Sequence, residues 1–165
     1  MIIFGIDPGL SGAIAILHKK KVINLHEMPV MSDGKKNKKQ LNSAQLVNII
    51  NEYLRVDNGE FAVVLEQVNA MPGQGVTSMF NFGQSFGAIK GVCAALQLPI
   101  YLVRPSKWKK HFELINSSKD ASRTKVIQMY PNLSKDLAKK KDVNKSDAIL
   151  IARYFYETKA LIDPK

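Results

Sequence analysis

The chain opens with the stretch Ile3-Phe4-Gly5-Ile6-Asp7-Pro8-Gly9-Leu10-Ser11-Gly12-Ala13. An apolar run of this kind predicts a buried strand over residues 2–7, and the glycines predict a turn directly after it. Asp7 is therefore an isolated carboxylate held at the end of a strand. Acids that only solvate a surface more often lie in polar, charge-rich segments, so this placement indicates a functional group.

Two further carboxylates have similar settings. Glu66 ends the apolar run 61–66, which is typical of a strand buried on both faces, and Asp147 begins an apolar helical stretch. Each acid alone is equally a helix cap, a turn residue or a surface charge, and Asp147 also suits the positive end of a helix dipole. Together they predict a metal site, because Mg²⁺ prefers oxygen ligands and two-metal phosphoryl transfer needs converging carboxylates.

The composition points to a polyanionic partner. The 165 residues are 45% hydrophobic, enough for one domain spanning residues 1–165, and the net charge is +10. A basic balance of this size favours nucleic acid or an anionic membrane. Twelve lysines and arginines lie between Arg104 and Lys145, against four acids, so the basic charge clusters in the part of the chain that delivers Asp147.

The sequence also predicts the cellular setting. No apolar run is long enough to span a bilayer, and the first residues lack the basic leader of a secretory signal. The single cysteine, Cys93, excludes an internal disulfide and is expected to be a small core residue. We therefore expect a cytoplasmic protein without a membrane partner.

Periodicity along the chain predicts an α/β fold. A hairpin at 13–18 and 22–27 follows the first strand, 32–41 is a polar loop, and a further strand is expected at 99–103. Helices are expected at about 43–54, 78–96, 105–112, 119–130 and from Lys145 or Ser146 to about Tyr156. This order gives a mixed sheet, an antiparallel hairpin plus parallel strands, flanked by helices in a single domain.

Five blocks of sequence in this order resemble a known family. They are IDPGLSGA at 6–13, LEQV at 65–68, GQSFGAIKGV at 83–92, RPSKWKK at 104–110 and SDAILIA at 146–152. The combination resembles RuvC-type Holliday junction resolvases, which are metal-dependent DNA endonucleases of the RNase H-like superfamily. The short chain, its lysine- and asparagine-rich composition and the loop at 71–75 resemble a bacteriophage member, which would act in the host cytoplasm.

The resemblance implies a set of metal ligands. Asp7, Glu66 and Asp147 match the family's three carboxylate ligands, with Mg²⁺ as the cofactor and Mn²⁺ able to substitute. The family's fourth ligand lies three residues before the last Asp, and Asn144 occupies that position. Its amide oxygen shares a helix face with Asp147. Asp142 is the other candidate, favoured by its charge, and reaches the site only if residues 142–145 form a loop.

The resemblance also implies DNA contacts. Lys109 resembles a DNA-contacting lysine, and Arg123 lies where a second basic residue is expected to offset charge at the scissile phosphate. Asn69 stands where the family often has an aromatic wedge, and Met71 in the same loop can serve as an apolar wedge instead. The expected DNA-binding residues are Lys107, Lys109, Lys110, Arg123, Lys125, Asn69 and Met71.

Two structural features remain open between alternatives. The helix around 84–91, rich in small residues, resembles the family's dimer helix, and paired nicks across a junction need two active sites related by a two-fold axis. Ordinary packing of that helix on the sheet is the other interpretation. Trp108 either stacks on DNA or, as we favour, anchors its short helix to the core.

The expected activity is hydrolysis of a phosphodiester near a DNA branch point, which leaves 5′-phosphate and 3′-hydroxyl ends. Cleavage of three-way branches and flaps is as much expected as resolution of four-way junctions. One alternative is a branched-DNA binding module whose catalysis is weak or lost. RNase H activity on hybrids is another, and an ATPase of the actin type is disfavoured because such proteins are far longer than 165 residues.

Overall fold

A computed structural model describes residues 1–34, 38–56, 59–69 and 73–162. In these ranges five strands form one sheet: β1 Ile2–Asp7, β2 Ala13–His18, β3 Lys21–Glu27, β6 Phe61–Glu66 and β7 Ile100–Val103. Their order across the sheet is β3-β2-β1-β6-β7, while β4 Val30–Ser32 pairs with β5 Lys39–Leu41 in a separate hairpin. Strands β1, β2 and β3 run antiparallel, and β1, β6 and β7 run parallel. The predicted mixed sheet is confirmed.

The helices of the described residues are α1 Ser43–Leu54, α2 Val76–Ala95, α3 Pro105–His111, α4 Ala121–Met129 and α5 Val143–Ile162, with short 3₁₀ turns at Pro131–Leu133 and Lys140–Asp142. Most agree with the predicted elements. Two differences matter. The hairpin of β4 and β5 overlaps both ends of the segment 32–41 that was predicted as a polar loop, and α5 begins at Val143 instead of at Lys145 or Ser146.

Capping explains where two helices begin. The Asn42 side chain accepts a hydrogen bond from the Gln45 N–H at 3.0 Å and caps the start of α1. Asp142 accepts from the Lys139 N–H at 2.9 Å and closes the 3₁₀ turn that runs directly into α5. The acid therefore fixes the start of the last helix.

Helices cover both faces of the sheet, and the alternation along β1 separates the two cores. Ile2, Phe4 and Ile6 pack with residues of α1 and α2, whereas Ile3 packs with α5. Since successive side chains of a strand point to opposite faces, Asp7 continues the series that faces α5. Cys93 is fully buried in the α1–α2 core, which confirms the prediction for it.

The central strand β6 repeats this pattern. Ala62 and Val64 belong to the core on the α5 face, and Val63 and Leu65 to the opposite core. Glu66 is next in the α5-facing series. Ile6 is the partner of Leu65 across the parallel pair, so Asp7 and Glu66 end neighbouring strands side by side.

Within the described ranges, no helix combines the length and apolar character that crossing a bilayer requires.

Candidate active site

Three predicted carboxylates meet at the carboxyl edge of the sheet. Asp7 and Glu66 end β1 and β6, and Asp147 lies in the second turn of α5, which packs on β1. The pKa of Asp7 is raised to about 7. Burial is the largest cause of the rise, followed by the negative charges of Glu66 and then of Asp147. The three acids are therefore close enough to repel one another in a partly buried setting.

The glycine turn after β1 packs tightly around Asp7. Gly12 donates its N–H to the Gly9 carbonyl at 2.8 Å, and a β-carbon on Gly12 would overlap the Asp7 carbonyl. The Gly9 N–H points at Asp7 Oδ1 from 3.5 Å. Only glycine fits at position 12, so the turn residues that the sequence singles out hold the first carboxylate in place.

Glu66 is held by a tryptophan. The indole Nε1–H of Trp108 donates to Glu66 Oε1 at 2.9 Å, and Trp108 is completely buried. Burial raises the pKa of Glu66, while this hydrogen bond and the Lys109 charge oppose the shift. The prediction that Trp108 anchors α3 in the core is confirmed, but its contact with the site was missed because the sequence carries no signal for it.

Asp147 is approached by residues of the segment around α4. Burial raises the pKa of Asp147, and the Ser122 hydroxyl, then the charges of Lys109 and Lys119, oppose the rise. Ser122 Oγ is buried and makes no hydrogen bond of normal distance and angle within the described structure. The hydroxyl dipole of Ser122 therefore acts on Asp147 without a formed hydrogen bond. Neither Ser122 nor Lys119 was predicted, although Lys119 belongs to the basic cluster that the sequence shows.

Lys109 is the cation that the three acids share. Its ammonium charge lowers the pKa of Asp7, Glu66 and Asp147 alike. The Lys109 Nζ atom lies 5.3 Å from the centroid of the Trp108 ring, a cation–π distance. The resemblance placed Lys109 at the site, and the structure puts it beside the acids.

The donor chemistry fits a hard divalent cation, because carboxylate oxygens are what Mg²⁺ binds and the acids repel one another without a counter-charge. The side-chain positions are less complete. Across the described ranges, no group of three or more His, Cys, Asp or Glu residues is arranged so that it could hold a metal ion. The three acids interact through their charges, but their side chains are not arranged as a set of metal ligands.

Asp142, expected as a fourth ligand on account of its charge, has its contacts elsewhere and is not among the charges that shift the pKa of Asp7, Glu66 or Asp147. Its carboxylate accepts from the Lys139 N–H at 2.9 Å and from Lys145 Nζ at 3.1 Å, and the residue is 4% exposed. Burial would raise the pKa of Asp142, but these donors hold it below its ordinary value. Because the 3₁₀ turn and α5 leave no loop at 142–145, the side chain has no freedom to swing inward.

Asn144, the other candidate for the fourth ligand, has a hydrogen-bond partner in the turn after β1. Its Nδ2 group donates to the Ser11 carbonyl at 2.6 Å, which ties the first turn of α5 to the turn after β1. The amide therefore holds the glycine turn next to Asp7. The structure thus gives Asn144 a supporting contact at the position where the sequence resemblance implies a metal ligand.

The predicted DNA-binding lysines and arginine other than Lys109 differ in their surroundings. Lys107 and Lys110 are exposed on α3, close to Lys109. Arg123 makes two 2.7 Å contacts to Asp120 and donates to the Leu137 carbonyl at 2.9 Å, so its guanidinium is committed to the protein. Lys125 lies 4.0 Å from Glu113.

The remaining two predicted contacts lie on the loop after β6. Asn69 is exposed and lines a surface cleft of about 620 Å³ together with Gln67, Gln74, Phe82 and Pro105. Met71 lies outside the described residues.

Comparison with known proteins identifies the fold. No protein-family model and no curated protein sequence matches the chain. The structure of T. thermophilus RuvC in complex with a Holliday junction substrate matches with a TM-score of 0.57 at 13% identity, over 96% of each chain. A second structure of Thermus thermophilus RuvC matches with a TM-score of 0.51 at 15% identity, over 96% of this chain and 97% of that one. At this identity the likeness establishes the fold alone, which is that of the T. thermophilus RuvC structures.

Proposed function

We propose that the chain is a Mg²⁺-dependent endonuclease that cleaves branched DNA. The observation that carries the proposal is the meeting of Asp7, Glu66 and Asp147 at one sheet edge, with Lys109 beside them. A net charge of +10 suits a DNA substrate. The structural neighbour bound to a Holliday junction has the same fold, which supports a branched substrate by analogy.

Each residue of the cluster has a defined task in this proposal. Asp7, Glu66 and Asp147 would hold Mg²⁺, with Mn²⁺ as a substitute. Activation of water and stabilisation of the leaving 3′-oxygen are what divalent ions supply at such carboxylates, and the products are 5′-phosphate and 3′-hydroxyl ends. Lys109 offsets the negative charge that develops on the scissile phosphate. The turn at 9–12 keeps Asp7 fixed while DNA binds.

DNA binding is assigned to the surface around α3. Lys107, Lys110 and Lys125 would contact phosphates, which fixes the register of the DNA without reading its sequence. The cleft at Asn69 adjoins the end of β6 that carries Glu66. Its amide and aromatic lining suits an unstacked base at a branch point, so we expect three-way as well as four-way branches to be cleaved.

A homodimer is part of the proposal. Gly83, Gly87 and Gly91 recur every four residues on α2, and a β-carbon on any of them would meet nothing within 4 Å. Phe80 on the same helix is 65% exposed. An open face of small residues flanked by an exposed aromatic suits close packing against a second copy. Light scattering of the purified chain should report twice the 18.4 kDa monomer mass, and Gly87→Glu should halve it.

The competing function is a branched-DNA binding module with weak or lost catalysis. Two observations favour it: Asn144 stands at the fourth-ligand position and is bonded to Ser11, and the three acids are not arranged as a set of metal ligands. The two functions share the DNA surface and differ in whether strand cleavage occurs.

Cleavage of labelled four-way, three-way and linear duplex DNA, with Mg²⁺ or with EDTA, separates them. We expect Mg²⁺-dependent nicking near the branch that Glu66→Gln abolishes without loss of junction binding. The matched control is Glu60→Gln, an exposed glutamate at the opposite end of β6. Tight branch binding by the unaltered chain with no cleavage in Mg²⁺ or Mn²⁺ would establish the binding module.

A further inference from the structure

The bond between Trp108 and Glu66 suggests a role beyond anchoring α3. We propose that Trp108 is a positioning residue that makes the acid cluster prefer Mg²⁺ to Ca²⁺, because its indole N–H donates to one oxygen of Glu66. The inference rests on the proposed function, in which Glu66 is a metal ligand.

The indole is fixed more firmly than the carboxylate that it holds. Trp108 is 0% exposed and packs in the core with Phe112, Val126 and Ala148. The end of α3 is joined to α5 by a 2.6 Å contact between His111 and Glu157. An indole set in this way cannot follow a carboxylate that rotates, so rotation of Glu66 breaks the 2.9 Å bond.

The strands next to the bond are fixed as well. The Gln67 N–H donates to the Val103 carbonyl at 2.8 Å, immediately before α3 begins at Pro105. The end of β6 and the start of α3 are thus joined by two bonds, one through the backbone and one through the Trp108 indole. The backbone next to Glu66 and the carboxylate of Glu66 are therefore both held in place.

A buried tryptophan needs an acceptor, and satisfying the indole is the structural role that competes with this inference. Most side-chain hydrogen bonds in proteins go to backbone or water. Here the acceptor is a carboxylate that belongs to the cluster of three acids. A purely structural role predicts that loss of the N–H affects folding alone, whereas the positioning role predicts a change in which cation binds.

Carboxylate chemistry supplies the link to cation choice. Ca²⁺ takes six to eight oxygens in flexible geometry and often uses both oxygens of one carboxylate, while Mg²⁺ requires a near-octahedral set at shorter distance. The Trp108 N–H takes up one lone pair of Oε1 and draws charge from that oxygen, so Oε2 is the stronger donor and bidentate use of Glu66 is disfavoured. A single donor oxygen suffices for Mg²⁺, whereas Ca²⁺ loses a favourable bidentate contact.

The chain contains one tryptophan, so the N–H can be removed without altering any other residue. Biosynthetic replacement of tryptophan by 3-benzothienylalanine puts sulfur in place of the N–H and keeps the bicyclic shape. Replacement by 5-fluorotryptophan keeps the N–H and is the matched control. Dissociation constants for Mg²⁺ and for Ca²⁺ are then measured by calorimetry on the whole chain without DNA.

We expect the benzothienyl chain to bind Mg²⁺ about tenfold more weakly, which is the size of effect seen when a residue that hydrogen-bonds to a metal ligand is lost. Its Ca²⁺ binding should be unchanged or tighter. The Mg²⁺-to-Ca²⁺ preference should fall by that factor, and the fluorotryptophan chain should match the unaltered one. Equal loss for both cations, or no change for either, overturns the inference. An unaltered chain that binds neither cation overturns the proposed metal dependence too.

A measurement on the unaltered chain covers the case in which the benzothienyl chain does not fold. With ¹⁵N-labelled tryptophan, the single indole N–H gives one resonance whose hydrogen exchange can be followed. Slow exchange in saturating Mg²⁺ and faster exchange in saturating Ca²⁺ are the expected results. Equal exchange rates with the two cations contradict the inference.

Discussion

Gly5 of β1 and Ala152 of α5 lie in direct contact, so close that a β-carbon on Gly5 would come within 2.7 Å of the Ala152 β-carbon. The same atom would overlap the Ala148 carbonyl oxygen. Asp7 is two residues beyond Gly5 on the same strand face, and Asp147 precedes Ala148. The close approach of helix to strand therefore brings the two carboxylates together.

Gly5→Ala should damage both stability and activity. The added methyl forces α5 away from β1, and overpacking of this kind costs about 1–3 kcal/mol of unfolding free energy. Displacement of Asp147 by even 1 Å should lower the cleavage rate by roughly 10²-fold. Urea unfolding and single-turnover cleavage measure the two effects.

The matched control is Gly91→Ala, because a β-carbon there meets nothing within 4 Å. Replacing glycine by alanine inside α2 should raise stability by roughly 0.5–1 kcal/mol. Gly91 also lies on the face proposed for the homodimer, so cleavage by this variant is compared with the unaltered chain only where light scattering shows an unchanged mass. Equal effects at positions 5 and 91 would show that the approach of α5 does not set the site.

Lys109→Ala should lower the cleavage rate, whereas Lys125→Ala should weaken DNA binding. Lys109 acts electrostatically on all three acids, so its loss should lower the single-turnover cleavage rate by about 10²–10³-fold. Lys125 lies 4.0 Å from Glu113 and is not among the charges that shift the pKa of any of the three acids. Its loss should leave the rate at saturating enzyme unchanged.

The effect of Lys125→Ala should appear in binding instead. Each lost phosphate contact reduces the slope of log affinity against log salt by about 0.9. Junction affinity measured between low and moderate salt gives that slope. A cleavage rate that falls equally in both variants would contradict the separate roles of the two lysines.

Much of the site follows from strand alternation that the sequence displays. The odd series Ile3, Gly5, Asp7 and the even series Ala62, Val64, Glu66 each end in an acid on the face that α5 covers. Parallel pairing of β1 with β6 then sets the two acids side by side. Local pattern was sufficient here because two short strands and their order determine the geometry.

The contacts of Asp142, Arg123 and Trp108 are of a kind that strand alternation does not encode. Asp142 was expected near the metal because the start of α5 was predicted at Lys145 or Ser146, and helix boundaries depend on capping. Arg123 carried a readable signal, since Asp120 lies three residues earlier on the same helix face and pairs with it. Trp108 reaches Glu66 across 42 residues, a distance that no local pattern spans.

Asp142→Asn should separate folding from catalysis. The pKa of Asp142 in the folded chain lies below its ordinary value, so folding favours the ionised form. The stabilisation is complete above the unfolded pKa of about 3.9 and is lost as the pH falls through the folded value. The variant should be less stable by about 1–3 kcal/mol at neutral pH, and the difference should shrink towards zero in acid.

Urea unfolding from neutral pH to roughly pH 3, across the ordinary pKa of an aspartate, tests this expectation. Asp136→Asn is the control, because Asp136 is exposed and its replacement should change stability by less than about 0.5 kcal/mol. Cleavage by Asp142→Asn at a temperature where it is folded should be normal. An abolished cleavage there would return Asp142 to the list of metal ligands.

Asn144→Asp should not restore a four-carboxylate site. The amide donates to the Ser11 carbonyl at 2.6 Å, and a carboxylate in its place would set two acceptors against each other. Loss of that bond should cost about 1 kcal/mol, and the freed turn should hold Asp7 less firmly. We expect the Mg²⁺ affinity of Asn144→Asp, measured by calorimetry, to be no higher than that of the unaltered chain. Junction cleavage should be slower. The control is Asn144→Ala, which removes the donor without adding charge and should cost similar stability. Tighter Mg²⁺ binding by Asn144→Asp, without a gain in Asn144→Ala, would show that the turn adjusts and that the site accepts a fourth carboxylate.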